Sequence, residues 1–302
     1  MKEPRPHILF ITLSNIGDAV MTTPVLERLH QLHPDAVIDI VADRRSSEIF
    51  SHCPYRGAII HKEKKAGLRG LWDLVRTLRR QRYDLVVDLR TDGLAWLLRA
   101  RHRLTKARRQ PRGPHAVEDL ISIIDAVDPG RIIPPATVWL DDAERERARR
   151  WLATLPEGSW LALGPGANWP PKIWPLEHFE ALIRSVADRF SGLVLLGGPD
   201  DRGRCARLAA DAPLPVANLA GETSLLEAAA VLEGCTAFVG NDSGLGHLAA
   251  AAGTPTLTLF GPGRPERYHP WGENTRWLRA DETRIDRLEA ETVAKALREM
   301  LP

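Results

Sequence analysis

Residues 236–263, TAFVGNDSGLGHLAAAAGTPTLTLFGPG, constrain the fold more than any other stretch. Residues 236–240 are a short β-branched and aromatic run, 241–244 a polar turn, and 245–252 an alanine-rich helical stretch. Gly253 stands where a helix needs its C-cap, and 256–260 alternates like a second buried strand before Gly261-Pro262-Gly263. The pattern is a βαβ unit. A turn that ends a strand and opens a helix presents unpaired backbone N–H groups and the positive end of the helix dipole, which suits a diphosphate. Two more glycine-bearing strand ends, Gly164-Pro165-Gly166 and Leu196-Gly197-Gly198-Pro199, lie in the same half. That half reads as the grip for a nucleotide-type ligand.

The rest of the chain alternates strands and helices in the same way. Residues 7–13 read as a buried strand and 14–18 as a strand-to-helix turn, followed by a helix with Pro24 near its start that runs to about residue 33. Strands follow at 36–42, 58–61 and 84–89, with helices near 46–50, over 71–81, from Asp92-Gly93 and over 117–126. A strand at 137–140 and a charged helix over 141–155 lead to Pro156-Glu157-Gly158, after which the pattern restarts. Strands at 160–163, 193–196 and 216–219 then alternate with helices over 176–190, 202–210 and 224–233, and a helix over 286–300 closes the chain. Such alternation predicts parallel sheets with helices on both faces. Two units are expected, residues 1–155 and 156–302, with the last helix free to pack back on the first. Open parallel sheets bind ligands beyond their strands' carboxyl ends, so a cleft between the units is the expected site.

Charge is unevenly spread. Residues 1–150 hold 27 Lys and Arg against 20 Asp and Glu, and the remainder holds 14 against 19, so a net of +7 faces a net of −5. The excess is densest over 99–112, RARHRLTKARRQPR, which suits an anionic partner such as a phosphorylated glycolipid or a membrane surface, or else is a solvated loop. No aromatic residue interleaves that run, which argues against nucleic acid. Cys53, Cys205 and Cys235 form no metal-like pair, and no other ligand cluster is visible, so neither a disulfide nor a metal nor another cofactor is expected. No run approaches about 18 apolar residues, and MKEPRP leads straight into a strand, so a cytoplasmic protein is expected.

Taken together, these stretches resemble the heptosyltransferase family of bacterial lipopolysaccharide synthesis, glycosyltransferase family nine. The match is carried by Ser14-Asn15-Ile16-Gly17-Asp18 with Pro24, by Trp169-Pro170-Pro171-Lys172-Ile173-Trp174-Pro175, by Leu196-Gly197-Gly198-Pro199, by residues 224–232, by Asn241-Asp242-Ser243-Gly244 with His247, and by Phe260-Gly261-Pro262. The family's diphosphate turn usually reads Asp-Thr-Gly-Pro. Here Ser243 replaces the threonine and keeps its hydroxyl, while Leu245 stands at the proline position.

The resemblance implies a GT-B fold, two Rossmann-like α/β domains with parallel sheets facing across a cleft, the first binding acceptor and the second a nucleotide sugar. It implies an inverting transferase that moves heptose from ADP-heptose to a phosphorylated inner-core acceptor, while the first half's net +7 suits such an anionic acceptor and a peripheral contact at the inner membrane surface. Asp18 would be the general base that takes the acceptor proton, with Asn15 and Gly17 beside it at the acceptor. Asp18 also reads as a helix cap, a role compatible with that of a base. Lys172 would offset charge on the departing diphosphate. Asp242, Ser243 and Gly244 would form the diphosphate turn, with Gly166, Gly198 and His247 alongside, and Asp242 would meet sugar hydroxyls. Glu227 would hold the ribose, whose paired hydroxyls suit a carboxylate. Thr223 is read as the cap of its helix, with Glu227 beyond capping-box spacing.

Other readings compete. Residues 244–249 match the dinucleotide fingerprint G-x-G-x-x-A, but three polar residues separate them from the strand, and no acidic residue ends the next one. A sugar-nucleotide epimerase, a transferase with another nucleotide sugar, and a non-catalytic sugar-nucleotide-binding protein remain as alternatives.

Overall fold

A computed structural model describes residues 5–62, 67–90, 92–108, 110–128, 130 and 132–301. The first four residues and Arg109 of the basic run lie outside them. The chain divides into two compact units, Met1–Trp139 and Leu140–Pro302.

The first unit runs β1 (His7–Ile11), α1 (Ile16–Val20), α2 (Thr23–Leu32), β2 (Val37–Ala42), β3 (Arg56–His61), α3 (Gly67–Leu78), β4 (Tyr83–Asp88), α4 (Asp92–Trp96), β5 (Ala100–Thr105) and α5 (Ala116–Ile121). Its sheet has the order β3-β2-β1-β4-β5, all parallel. Central β1 is apolar from Ile8 to Ile11 and buried there on both faces, as a strand between two helical layers must be. Leu74, Val75 and Leu78 of α3 join Leu94, Ala95 and Leu98 around α4 in one apolar cluster with Leu9, Ile11 and Val86 of the sheet. Both helices therefore cover the same face.

Three details differ from the sequence reading. The first helix breaks in two at Met21-Thr22, where the Thr22 hydroxyl donates to Ala19 O and Pro24 enters the first turn of α2 without needing a donor. Residues 137–140 form no strand, and Thr137 N–H is taken by the Thr23 hydroxyl at 2.9 Å. The basic run contributes strand β5, paired with β4 from Tyr83↔Ala100 to Asp88↔Thr105.

The second unit runs α6 (Asp142–Leu152), β6 (Trp160–Gly164), α7 (Leu176–Val186), β7 (Gly192–Leu195), α8 (Arg202–Ala210), β8 (Val216–Asn218), α9 (Leu225–Glu233), β9 (Ala237–Asn241), α10 (Gly244–Ala251), β10 (Thr256–Phe260), α11 (Pro265–Tyr268), β11 (Thr275–Arg279) and α12 (Ala290–Met300). Six parallel strands take the order β11-β10-β9-β6-β7-β8. That is the doubly wound order with its switch point between β6 and β9. Strand β11 and the short α11 escape sequence reading.

The division after Trp139 comes earlier than the expected 155/156, because α6 belongs to the second unit. Arg145 donates to Glu233 of α9 at 2.8 and 3.1 Å, and Leu152 packs where a side chain on Gly234 would stand. The last helix does not leave this unit either. It packs on α7, with Val293, Ala294 and Leu297 buried in the same core as Phe179 and Leu182.

Candidate functional site

In an open parallel sheet the two strands that flank the switch point diverge into turns with nothing between them, so backbone groups there face outward. In the second unit those turns follow β6 (Gly164-Pro165-Gly166) and β9 (Asn241-Asp242-Ser243). Asn241, fully buried, fixes both. Its Nδ2 donates to Pro165 O at 2.9 Å, and its Oδ1 accepts from Trp174 N at 3.1 Å. Trp174 is itself fully buried, donates Nε1 to Leu288 O at 2.8 Å, and packs edge-on to Phe179. The short 3₁₀ turn Pro170–Lys172 is thus anchored at its C-terminal end, while Trp169 at its start is half exposed. Sequence reading missed Asn241's role. The available signal was a polar residue closing an apolar strand.

This anchoring brings Lys172 and Asp242 together, with Nζ 2.6 Å from Oδ2 and side chains 24% and 11% exposed. The carboxylate that would repel a diphosphate is therefore neutralised by the lysine beside the turn. Gly263 allows this packing, since a Cβ there would stand 2.8 Å from Asp242 Oδ2.

The helix that opens at this turn is left uncapped. Helices α6 and α9 have side-chain caps, from Asp141 and Ser224. Ser243, the N-cap of α10, makes no side-chain cap hydrogen bond, and its buried Oγ has no partner among the described residues. First-turn N–H groups from Gly244 onward and a hydroxyl are thus available together, the donor set that a phosphate accepts from. His247, in the next turn, is buried.

Gly166 and Gly198 meet at Asp201. Its Oδ2 accepts from Gly198 N at 3.0 Å, and a Cβ on Gly166 would fall 2.1 Å from its Oδ1. Glu227 is a capping-box residue, which corrects the reading of Thr223 as the cap. Its Oε2 accepts from Ser224 N at 2.8 Å, and the Ser224 hydroxyl accepts from Glu227 N at 3.3 Å. Its Oε1 lies 2.5 Å from Arg147 Nε of α6.

In the first unit, Asn15-Ile16-Gly17-Asp18 follows central β1, again beside the switch point of its sheet. Asp18 is not a cap. It lies in the first turn of α1, half-buried, and its Oδ2 accepts from Asn15 Nδ2 at 2.8 Å. The thiols of Cys205 and Cys235, buried in apolar surroundings, are pushed up to about 12, far from thiolates.

The family model described as glycosyltransferase family 9 (heptosyltransferase) matches residues 71–297. Lipopolysaccharide heptosyltransferase 3 of Escherichia coli is 30% identical over 287 residues, covering 85% of this chain and 84% of that protein. Lipopolysaccharide heptosyltransferase 1 of Pseudomonas aeruginosa is 31% identical, covering 91% and 84%. Among solved structures, a family 9 glycosyltransferase from Veillonella parvula superposes with a TM-score of 0.88 at 21% identity, covering 99% and 98% of the two chains. An E. coli heptosyltransferase bound to ADP gives 0.79 at 24% identity, covering 97% and 99%. The structural likeness identifies the fold as GT-B, and the sequence matches identify the lineage. The chain is a glycosyltransferase belonging to glycosyltransferase family 9, the heptosyltransferase family.

Proposed function

We propose that the protein transfers a heptosyl group from ADP-heptose to a phosphorylated inner-core lipopolysaccharide acceptor, with inversion at the anomeric carbon. The observation that carries this reading is the Lys172–Asp242 pair beside the uncapped start of α10, a cation and a row of donors at one switch point. Relatives named lipopolysaccharide heptosyltransferases, and one solved with ADP-2-deoxy-2-fluoro heptose, support the donor and the acceptor class.

In this account the Asp18 carboxylate takes the proton of an acceptor hydroxyl, with Asn15 and Gly17 shaping the turn that receives the acceptor. The freed oxygen attacks the anomeric carbon, the bond from that carbon to the diphosphate oxygen breaks, and ADP leaves with the electron pair. Lys172, the Ser243 hydroxyl and the Gly244 N–H take up the growing charge, a fixed electrostatic complement that needs no proton transfer. Lys172 then divides its charge between Asp242 and the diphosphate, which leaves Asp242 able to accept from sugar hydroxyls. His247 adds a donor from the second turn, Gly166 and Gly198 allow close backbone approach, and Glu227, held by Ser224 and Arg147, accepts from the ribose.

Calorimetric titration with ADP-, GDP-, UDP- and dTDP-linked sugars tests the donor. Selective binding of the ADP-sugar is expected, and preference for another base overturns the heptosyl assignment.

A further inference from the structure

A helix face turned to water is ordinarily polar. The outer side of α3 and α4, together with the neighbouring edge strand β5, departs from that. Trp72 is 63% exposed and Trp96 55%, with Leu97 also exposed. Both helices bury their other sides in the shared cluster of Leu74, Leu78, Leu94 and Leu98, so these large side chains are left over on the outer side. Around them stand Arg69 and Arg76 of α3, Arg79 and Arg80 just beyond it, and Arg99 and Arg101 at the edge strand, all exposed. None of the six makes an ion pair with a described residue. Asp73 is the one acidic residue of α3. Arg103 turns inward instead, donating to Ala95 O and Leu98 O while its guanidinium lies 5.7 Å from the Trp96 ring centre, which props that indole outward.

Charge on an edge strand can serve only to block pairing with other sheets. That purpose requires no exposed tryptophan, and it gives no reason for unpaired arginines on the neighbouring helix. Exposed indoles ringed by unneutralised arginines have the chemistry of a bilayer interface, where the indole sits at headgroup depth and the guanidinium meets lipid phosphate. We propose that this face docks on the surface of an anionic phospholipid bilayer. The proposal stands apart from the donor site, because the vesicle assay below reads no catalysis.

Cosedimentation with vesicles of phosphatidylglycerol and phosphatidylethanolamine, compared with phosphatidylcholine vesicles, tests it. Binding is expected on the anionic vesicles only, falling as salt rises above physiological strength. The triple variant R79Q/R80Q/R101Q is expected to bind on the order of 100-fold more weakly, about fivefold for each arginine. W72S/W96S is expected to lose about tenfold with its salt dependence retained. Melting temperatures equal to the unaltered protein's separate lost binding from lost fold, and the salt titration of the unaltered chain stands without any variant. Equal binding to phosphatidylcholine, unchanged binding by both variants, or tighter binding to polyuridylate than to vesicles at the same salt overturns the proposal.

Discussion

Replacing Lys172 with glutamine keeps a polar side chain, one bond shorter, and removes its charge. In the free protein that charge is already shared with Asp242 at 2.6 Å, so binding a diphosphate redistributes an existing attraction. A full unit charge at about 4 Å contributes about 4 kcal/mol near a protein surface, which sets an upper bound. With Asp242 competing, ADP affinity should fall by about tenfold, or about 1.4 kcal/mol. Turnover should fall further, by about 100-fold, because the leaving diphosphate gains charge only in the transition state. The substitution also leaves the largely buried Asp242 carboxylate without its cation, costing about 1–3 kcal/mol of stability. K172Q/D242N should therefore regain melting temperature without regaining turnover. Calorimetry with ADP, a coupled assay of ADP release, and thermal melting read the three quantities. Turnover of K172Q within about threefold of the unaltered enzyme, or recovery of turnover in the double variant, refutes the argument.

Serine 243 offers a simpler contrast. S243A should weaken ADP binding by about fivefold to tenfold while leaving the melting temperature unchanged, since the hydroxyl caps nothing within the described fold. A second expectation concerns acid stability. Arg28 donates Nε and Nη2 to the two oxygens of buried Asp128 at 2.7 and 2.8 Å, and this, with the Gly130 N–H, holds the carboxyl below its usual range. The contribution is present above the unfolded value of about 3.9 and is lost as pH falls through the lower folded value. D128A should cost about 3 kcal/mol at neutral pH. Its deficit against the unaltered protein in denaturant melts should shrink below about pH 4, and a deficit constant with pH contradicts this.

The legible parts of the sequence were those in which one residue type performs one local task. The βαβ unit around Asp242, the turn after β1 and the glycine-bearing strand ends each follow from periodicity and turn chemistry. Where residues serve the fold through distant partners, the reading fell short. Strand β5 looked like a charged loop because its pairing is supplied by β4, and long arginine stems tolerate a strand as readily as a loop. Residues 137–140 had strand composition but no neighbouring strand to pair with. Glu227 was separated from its cap by a one-residue error, Thr223 for Ser224, and its pairing with Arg147 spans too much chain for local reading. The same distance hid the aromatic neighbours of the basic run. No aromatic residue interrupts 99–112, yet the fold sets Trp96 beside Arg103.

Turnover and nucleotide affinity of Asp18→Asn, measured on the same preparation, reach the centre of the account. Amide for carboxylate keeps the shape beside Asn15 and abolishes the base. ADP release in the presence of acceptor should drop by at least about 100-fold, while the dissociation constant for ADP stays within about twofold. Full turnover in this variant, or loss of ADP binding together with turnover, would show that the proton is taken elsewhere or that Asp18 serves the donor.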